Sequence, residues 1–160
     1  IMGEAHFYHL TRSAPEVALV AIAEKALERG WQVGVVAPDQ TQAEGLDQRL
    51  GVVSAEGFVP HGLAGGPHDN LQPILIAGGV LPDARACLMS VGGADLEIAA
   101  LQAAERGCIL FDGNDGAAVE RARSQWRALT GAGLAAIYWS EESGRWQKKA
   151  ESPAKPGPNG

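Results

Sequence analysis

Two aspartates, Asp112 and Asp115, follow an apolar run of strand length in "CILFDGNDG", residues 108–116. Open α/β sheets bind their ligands beyond the carboxyl ends of their strands, and two carboxylates at such a place could hold Mg²⁺. The same residues also suit a purely structural role, because Asp112 and Asn114 can build a turn and Asp115 can cap a following helix. We favour the structural role, since no further catalytic motif accompanies the pair.

The loop "GFVPHGLAGG", residues 57–66, is a second candidate for chemistry. Nearby His61, His68 and Asp69 are residue types that bind divalent cations. Three glycines of the loop could present backbone amides to an anion: Gly62, Gly65 and Gly66. However, the chain contains no G-x-x-x-x-G-K-[ST] and no H-E-x-x-H motif, and its first strand–helix junction lacks G-x-G-x-x-G. We therefore interpret the loop as a surface turn and expect no metal, no cofactor and no catalytic residue.

The stretch 115–130 has the periodicity of an amphipathic helix. Its apolar stripe consists of Val119, Ala122, Trp126 and Leu129. Arg123 and Arg127 border this stripe, and Glu120, four residues before Ser124, is not expected to pair with either arginine. Guanidinium groups beside an aromatic edge could bind an acidic peptide that also carries a hydrophobic side chain. An ordinary solvated helix face is the alternative.

Strands and helices that alternate along the chain must position these residues. Apolar runs predict strands at 4–10, 31–37, 73–78, 86–91, 108–113 and 134–139, and amphipathic patterns predict helices within 13–30, 38–51, 96–106 and 115–130. Ser13 and Glu16 form a capping box for the first helix, and Gly30 ends it. The alternation predicts an α/β, three-layer αβα fold with a mainly parallel, doubly wound sheet, which is Rossmann-like but lacks a P-loop.

Length and composition indicate one domain. The chain has 160 residues, of which 46% are hydrophobic, so residues 1–146 suffice for a single α/β core. Residues 147–160 are polar and rich in proline and glycine, and we expect a disordered tail there. The net charge of −6 argues against attraction of the whole molecule to nucleic acid or anionic lipid. The two cysteines show no disulfide spacing, and a cytoplasmic location is expected.

Three stretches together resemble the chi subunit of bacterial DNA polymerase III, a component of the clamp-loader complex. They are "FYHL" (residues 7–10), "FVPHGLAG" (58–65) and "LFDGNDGAAVERARSQWRALTGAG" (110–133), in the order that the family shows. The similarity extends over nearly all of residues 7–139. It implies a fold like the nucleotide-binding domains of helicases but without their phosphate-binding motif, and a subunit that is not itself an enzyme.

The resemblance also implies two binding surfaces. In the family, the long helix binds the acidic C-terminal tail of single-stranded DNA-binding protein and so links the polymerase to coated DNA, with indirect DNA contact. By position, the tail-binding residues here are Arg123, Trp126, Arg127 and Val119. A psi subunit or a helicase-like protein docks on the "FVPH" surface, which here comprises Phe58, Val59, Pro60, His61 and Leu63.

Two other functions stay open at this point. One is a divergent nucleotide- or metal-dependent phosphohydrolase that uses Asp112, Asp115 and the glycine loop from Gly62 to Gly66. The other is direct binding of single-stranded nucleic acid by the tryptophans and the basic stretch 145–149. The second is less favoured because Trp31 and Trp139 are expected to be core residues.

Overall fold

The computed structural model describes residues 3–53 and 60–155 of the chain. All the predicted strands and helices are present, with bounds shifted by a few residues. In chain order the elements are β1 (Glu4–Leu10), α1 (Pro15–Glu28), β2 (Val33–Ala37), α2 (Gln40–Val53), β3 (His61–Leu63), a 3-10 turn (Asp69–Leu71), β4 (Ile74–Gly78), β5 (Cys87–Ser90), α3 (Ile98–Ala103), β6 (Arg106–Asp112), α4 (Gly116–Gly131), β7 (Ala135–Ser140) and β8 (Gln147–Ser152).

The strands form one eight-stranded sheet with the order β3-β4-β2-β5-β6-β1-β7-β8. The first seven strands pair in parallel, and β8 runs antiparallel to β7. Strands buried on both faces carry apolar side chains at successive positions, and all five residues of β2 are buried. The sheet therefore confirms the predicted mainly parallel, doubly wound arrangement.

Helices cover both faces of this sheet. On one face α1 and α2 contribute Leu19 and Leu46 to a core cluster that also contains Val35 of β2. On the other face α3 and α4 contribute Leu101 and Leu129 to a second cluster. The predicted three-layer αβα architecture is thus confirmed. Within the described ranges, no helix is both long and apolar enough to cross a membrane.

Of the two ends predicted for α1 from local sequence patterns, the C-terminal end is correct and the N-cap is not. Gly30 has φ of 81° and follows the C-cap, as predicted for a left-handed terminator. The prediction that Ser13 is the N-cap is wrong, because Ala14 occupies that position and no side chain caps the helix. The hydroxyl of Ser13 instead donates a hydrogen bond of 2.8 Å to the carboxylate of Glu141. Ser13 thus bonds a distant carboxylate and does not cap the helix.

The prediction of a disordered tail from residue 147 is wrong for residues 147–152, which form β8. This strand pairs with β7 from Ser140↔Gln147 to Ala136↔Ser152, with an irregularity at Tyr138/Trp139. Further along, the backbone N–H of Lys155 donates to the carbonyl of Gly133 at 3.0 Å. Backbone hydrogen bonding to the edge of a sheet needs no apolar side chains, so the polar composition of this segment did not reveal it.

Candidate functional site

Helix α4 begins where β6 ends, and its start is stabilised by Asp115. The carboxylate of Asp115 accepts hydrogen bonds from the backbone N–H groups of Ala117 and Ala118, at 3.0 and 3.4 Å. It also places negative charge at the positive end of the helix dipole. The cap predicted for this position is present, and it orients the face of α4 that carries the candidate residues.

The predicted apolar stripe of α4 divides into a buried half and a partly exposed half. Ala122 and Leu129 are buried, whereas Val119 and Trp126 pack against the core from its margin. Gln125, which the sequence did not single out, is also buried. Its side-chain amide donates to the carbonyl of Ala94 and to the carboxylate of Asp95, both at 3.1 Å. Because Val119 and Trp126 are only partly buried, their side chains are accessible at the edge of the helix.

Five rings form an aromatic cluster beneath this edge. Trp126 lies 5.3 Å from Phe7 and 6.2 Å from Tyr138, measured between ring centroids. Phe111 lies 5.3 Å from His9 and 5.9 Å from Tyr138, and the Tyr138 hydroxyl and Nδ1 of His9 are hydrogen-bonded at 2.9 Å. The contacts hold Tyr138 in one orientation. Sequence reasoning missed Tyr138, although the alternation of β7 places it on the opposite face from Trp139.

The two arginines lie on the solvent side of the aromatic cluster. The Arg123 side chain is 62% exposed, and its guanidinium pairs with the Glu120 carboxylate at 2.8 Å. The expectation that Glu120 would leave Arg123 unpaired is therefore wrong, since the pair uses the i, i+3 spacing. Burial raises the pKa of Tyr138, and the positive charge of Arg123 opposes this shift.

Arg127 is exposed one helical turn further along α4. In the part of the chain that the structure describes, its side chain makes no ion pair. Together, Val119, Arg123, Trp126, Arg127 and Tyr138 define what we call the α4 surface. Its guanidinium groups can bind carboxylates by charge-assisted hydrogen bonds, and its partly buried rings can contact an apolar side chain.

The aspartates and the glycine loop of the phosphohydrolase alternative lie far apart. Asp112 accepts the backbone N–H of Asn114 at 2.9 Å, as expected for a turn, while the glycine loop follows the edge strand β3. Four strand spacings of about 4.8 Å separate β6 from β3, or about 19 Å. The amides of Gly65 and Gly66 already donate to the Asp69 carboxylate, at 2.8 and 2.9 Å. Among the described residues, no three metal-binding side chains come together.

The second predicted surface is only partly described. Phe58 and Val59 lie outside the described residues, whereas Pro60, His61 and Leu63 are each partly buried. Nε2 of His61 lies 3.3 Å from the Asp47 carboxylate on α2, and Leu63 packs against the core. These contacts anchor β3 at the end of the sheet.

At the junction of β1 and α1, a side chain occupies the region where nucleotide-binding proteins of this fold class hold phosphate. Oε1 of Glu141 accepts the backbone N–H groups of Thr11, Arg12 and Ser13, at 3.0, 2.8 and 2.7 Å. The carboxylate is buried, with 5% exposure. The chain's own glutamate therefore satisfies the amides that would otherwise face a bound anion. Sequence reasoning missed this contact because its partners are about 130 positions apart.

Comparison with known protein families places this chain in one of them. A family model for the DNA polymerase III chi subunit, HolC, matches residues 2–136. No curated protein gives a significant match. The matched stretch contains β1, β6 and the whole of α4, and the resemblance seen in the sequence is confirmed. The chain therefore belongs to the DNA polymerase III chi subunit family, whose role is that of an accessory subunit in bacterial DNA replication.

Proposed function

We propose that this protein is a non-catalytic accessory subunit that links DNA polymerase III to single-stranded DNA-binding protein in the bacterial cytoplasm. It does so by binding the acidic C-terminal tail of that protein on the α4 surface. The single observation that carries this proposal is that the exposed Arg123 lies three residues, about one helical turn, before Trp126, whose partly buried ring contacts Tyr138. An acidic peptide that ends in an aromatic residue has the complementary chemistry.

In this arrangement the two arginines and the apolar residues have separate tasks. Arg123 and Arg127 bind carboxylates of the tail, because guanidinium groups form bidentate hydrogen bonds with them. Val119, Trp126 and Tyr138 contact the terminal aromatic ring. Binding must displace Glu120 from Arg123, and this costs little because both side chains of the pair are more than 60% exposed.

Isothermal titration calorimetry with a short acidic peptide that ends in phenylalanine tests the site. Arg123→Ala should weaken binding by about 1.5–3 kcal/mol, the usual contribution of a hydrogen bond to a charged group. A peptide whose terminal phenylalanine is replaced by alanine should also bind less tightly. Higher salt should weaken binding to the wild type more than to Arg123→Ala.

Arg121→Ala is the matched control for this experiment. Arg121 is an arginine on the same helix, but its side chain donates to the Gly93 carbonyl at 3.1 Å and to the Asp95 carboxylate at 2.8 Å. Its removal should leave peptide affinity unchanged. No measurable binding at low salt, or equal losses for Arg121→Ala and Arg123→Ala, would exclude the α4 surface as the tail site.

The Phe58 surface completes the proposed function. Phe58, Val59, Pro60, His61 and Leu63 would bind a psi-like subunit or a helicase-like protein, leaving the α4 surface free for the tail. A pull-down from lysate with wild-type and Phe58→Ala protein tests this interface. Phe58→Ala should no longer recover a polymerase III or helicase-like partner but should still recover single-stranded DNA-binding protein. Equal recovery of the partner by wild-type and Phe58→Ala protein would contradict the interface.

A further inference from the structure

A pocket of about 560 Å³ lies between α1 and the hairpin of β7 and β8, on the sheet face opposite to α4. Three of the four tryptophans of the chain line it: Trp31, Trp139 and Trp146. The expectation that Trp31 and Trp139 are core residues holds only in part: both are partly buried at the wall of this pocket, and only Trp31 packs against the core cluster. Trp139 and Trp146 also lie beyond the stretch that matches the family.

Hydrogen bonds and ring contacts hold the aromatic wall in place. Nε1 of Trp139 donates to Nδ1 of His6 at 3.0 Å, and the two rings are nearly parallel, with 16° between their planes. Nε2 of His6 then donates to the Glu4 carboxylate at 3.1 Å. The Trp146 ring contacts Tyr8 edge-on at 5.3 Å, yet Trp146 remains 36% exposed. The pocket therefore presents ordered flat rings to solvent.

Three cationic side chains line the same pocket: Lys25, Arg29 and Arg106. The guanidinium groups of Arg29 and Arg106 lie 5.0 and 5.6 Å from the centre of the Trp31 ring, which orders both of them. Within residues 3–53 and 60–155, none of the three cations forms an ion pair with a carboxylate. In a chain with a net charge of −6, this pocket gathers three cationic side chains, and the nearby Glu4 carboxylate bonds His6.

We propose that this pocket binds single-stranded DNA directly, with a base against the exposed indole of Trp146 and the adjoining phosphates against Lys25, Arg29 and Arg106. Flat rings beside cations are the chemistry that binds bases and phosphates without sequence preference. The volume suits a ligand of nucleotide size. The proposal revises the expectation that DNA contact is only indirect, and it does not depend on the α4 surface.

Fluorescence polarisation of a labelled oligothymidylate, titrated with the full-length protein, tests this proposal. Three phosphate contacts predict a slope of log K against log salt of about −2.1, so that affinity falls about 20-fold between 50 and 200 mM salt. In Arg106→Ala the slope should fall to about −1.4. Trp146→Ala should reduce affinity at least fivefold, and Trp146→Phe, which keeps a stacking ring, should recover most of the loss.

Arg49→Ala is the matched control, since Arg49 is a half-exposed arginine of α2 that lies outside the pocket and contacts Glu16 at 3.6 Å. It should keep wild-type affinity for the oligonucleotide. Thermal melting and titration with the acidic tail peptide, performed on every variant, show whether the fold and the α4 surface are intact. Loss of DNA binding with an unchanged melting temperature supports the pocket whether or not the tail proposal holds, and unchanged peptide binding adds to this where the peptide binds.

Any of four results would overturn the assignment, the last two of which concern the ligand. The first is no polarisation change at low salt with properly folded protein. The second is oligonucleotide binding that Arg106→Ala and Trp146→Ala leave unchanged. The third is thymidine monophosphate that competes as well as the oligonucleotide, which would identify a free-nucleotide site. The fourth is the tail peptide competing in an Arg106-dependent manner, which would identify a peptide site.

Discussion

Ser13 and Glu141 lie 128 positions apart and are joined by two hydrogen bonds, from the backbone N–H and the hydroxyl of Ser13 to the Glu141 carboxylate, at 2.7 and 2.8 Å. The contact ties the end of β7 to the start of α1. It also fills the amide-lined position that binds phosphate in nucleotide-binding proteins of this fold class. In this protein the Glu141 carboxylate is the anion at that position.

Replacing Glu141 should destabilise the protein substantially. Glu141→Ala leaves the backbone N–H groups of Thr11, Arg12 and Ser13 without their acceptor, and we expect a loss of about 2–3 kcal/mol in the free energy of unfolding. Urea denaturation measures this loss. Glu142→Ala is the control, because the Glu142 side chain is exposed; an equal effect of both changes would show that the Glu141 contact does not stabilise the fold.

The same carboxylate should make stability depend on pH in acid. Burial would raise the pKa of Glu141, but the hydrogen bonds from Ser13, Arg12 and Thr11 together lower it below its ordinary value of 4.5. Because the folded pKa is depressed, the stabilisation is complete above pH 4.5 and is lost as pH falls through the folded pKa. Unfolding experiments between pH 3 and 6 should show a steeper fall for wild type than for Glu141→Gln.

His6 affects stability in a separate pH window. Burial lowers the pKa of His6 from 6.5, and the nearby charges of Arg106 and Arg29 add to the shift, whereas Glu4 opposes it. Its contribution is therefore complete above pH 6.5 and declines as pH falls through the lowered value. Glu141→Gln should retain the contribution of His6 to stability. An unfolding free energy of Glu141→Gln that does not change between pH 7 and pH 3 would therefore contradict the separate pH ranges assigned to His6 and Glu141.

Gly113 allows the aromatic cluster to form. A Cβ atom at this position would lie 1.7 Å from Cδ2 of His9, so Gly113→Ala must displace the ring that bonds Tyr138. We expect a loss of about 1–3 kcal/mol in unfolding free energy, as for overpacked cores, together with weaker binding of the tail peptide. Circular dichroism melting and calorimetry measure the two effects.

Gly116 provides the matched control for this prediction. It lies in the first turn of α4, and an added Cβ would meet no atom within 4 Å. Gly116→Ala should therefore leave stability unchanged or raise it by up to about 1 kcal/mol, since alanine favours helix. If Gly113→Ala behaves like Gly116→Ala, the close approach to His9 has no energetic importance.

Truncation should show that β8 belongs to the folded domain. A chain that ends at residue 146 loses the backbone hydrogen bonds to β7 and exposes that strand as an open edge. We expect a lower melting temperature and concentration-dependent aggregation, measured by calorimetry and light scattering. A chain that ends at residue 155 keeps β8 and is the control. Equal melting temperatures and equal aggregation of the two chains would mean that the pairing of β8 with β7 does not stabilise the fold.

Local chemistry in the sequence determined the order of the elements and some of their ends. Successive apolar residues in 33–37 predict a strand buried on both faces, and the spacing of Val119, Trp126 and Leu129 predicts one side of α4. Asp115 and Gly30 act within a few residues of their own positions. Such interactions are readable from sequence because their partners are neighbours in the chain.

Only the tertiary structure showed which residues distant in the sequence contact one another. Ser13 has the local pattern of a helix cap, but a buried carboxylate at Glu141 forms stronger, charge-assisted bonds with it. Trp139 and Trp146 flank a pocket instead of entering the core, because α1 does not cover the β7–β8 hairpin on that face. The polar segment 147–152 becomes a strand because β7 offers it an unpaired edge. Each outcome depends on which backbone and side-chain groups the sheet order brings together, and that order is not a local property of the chain.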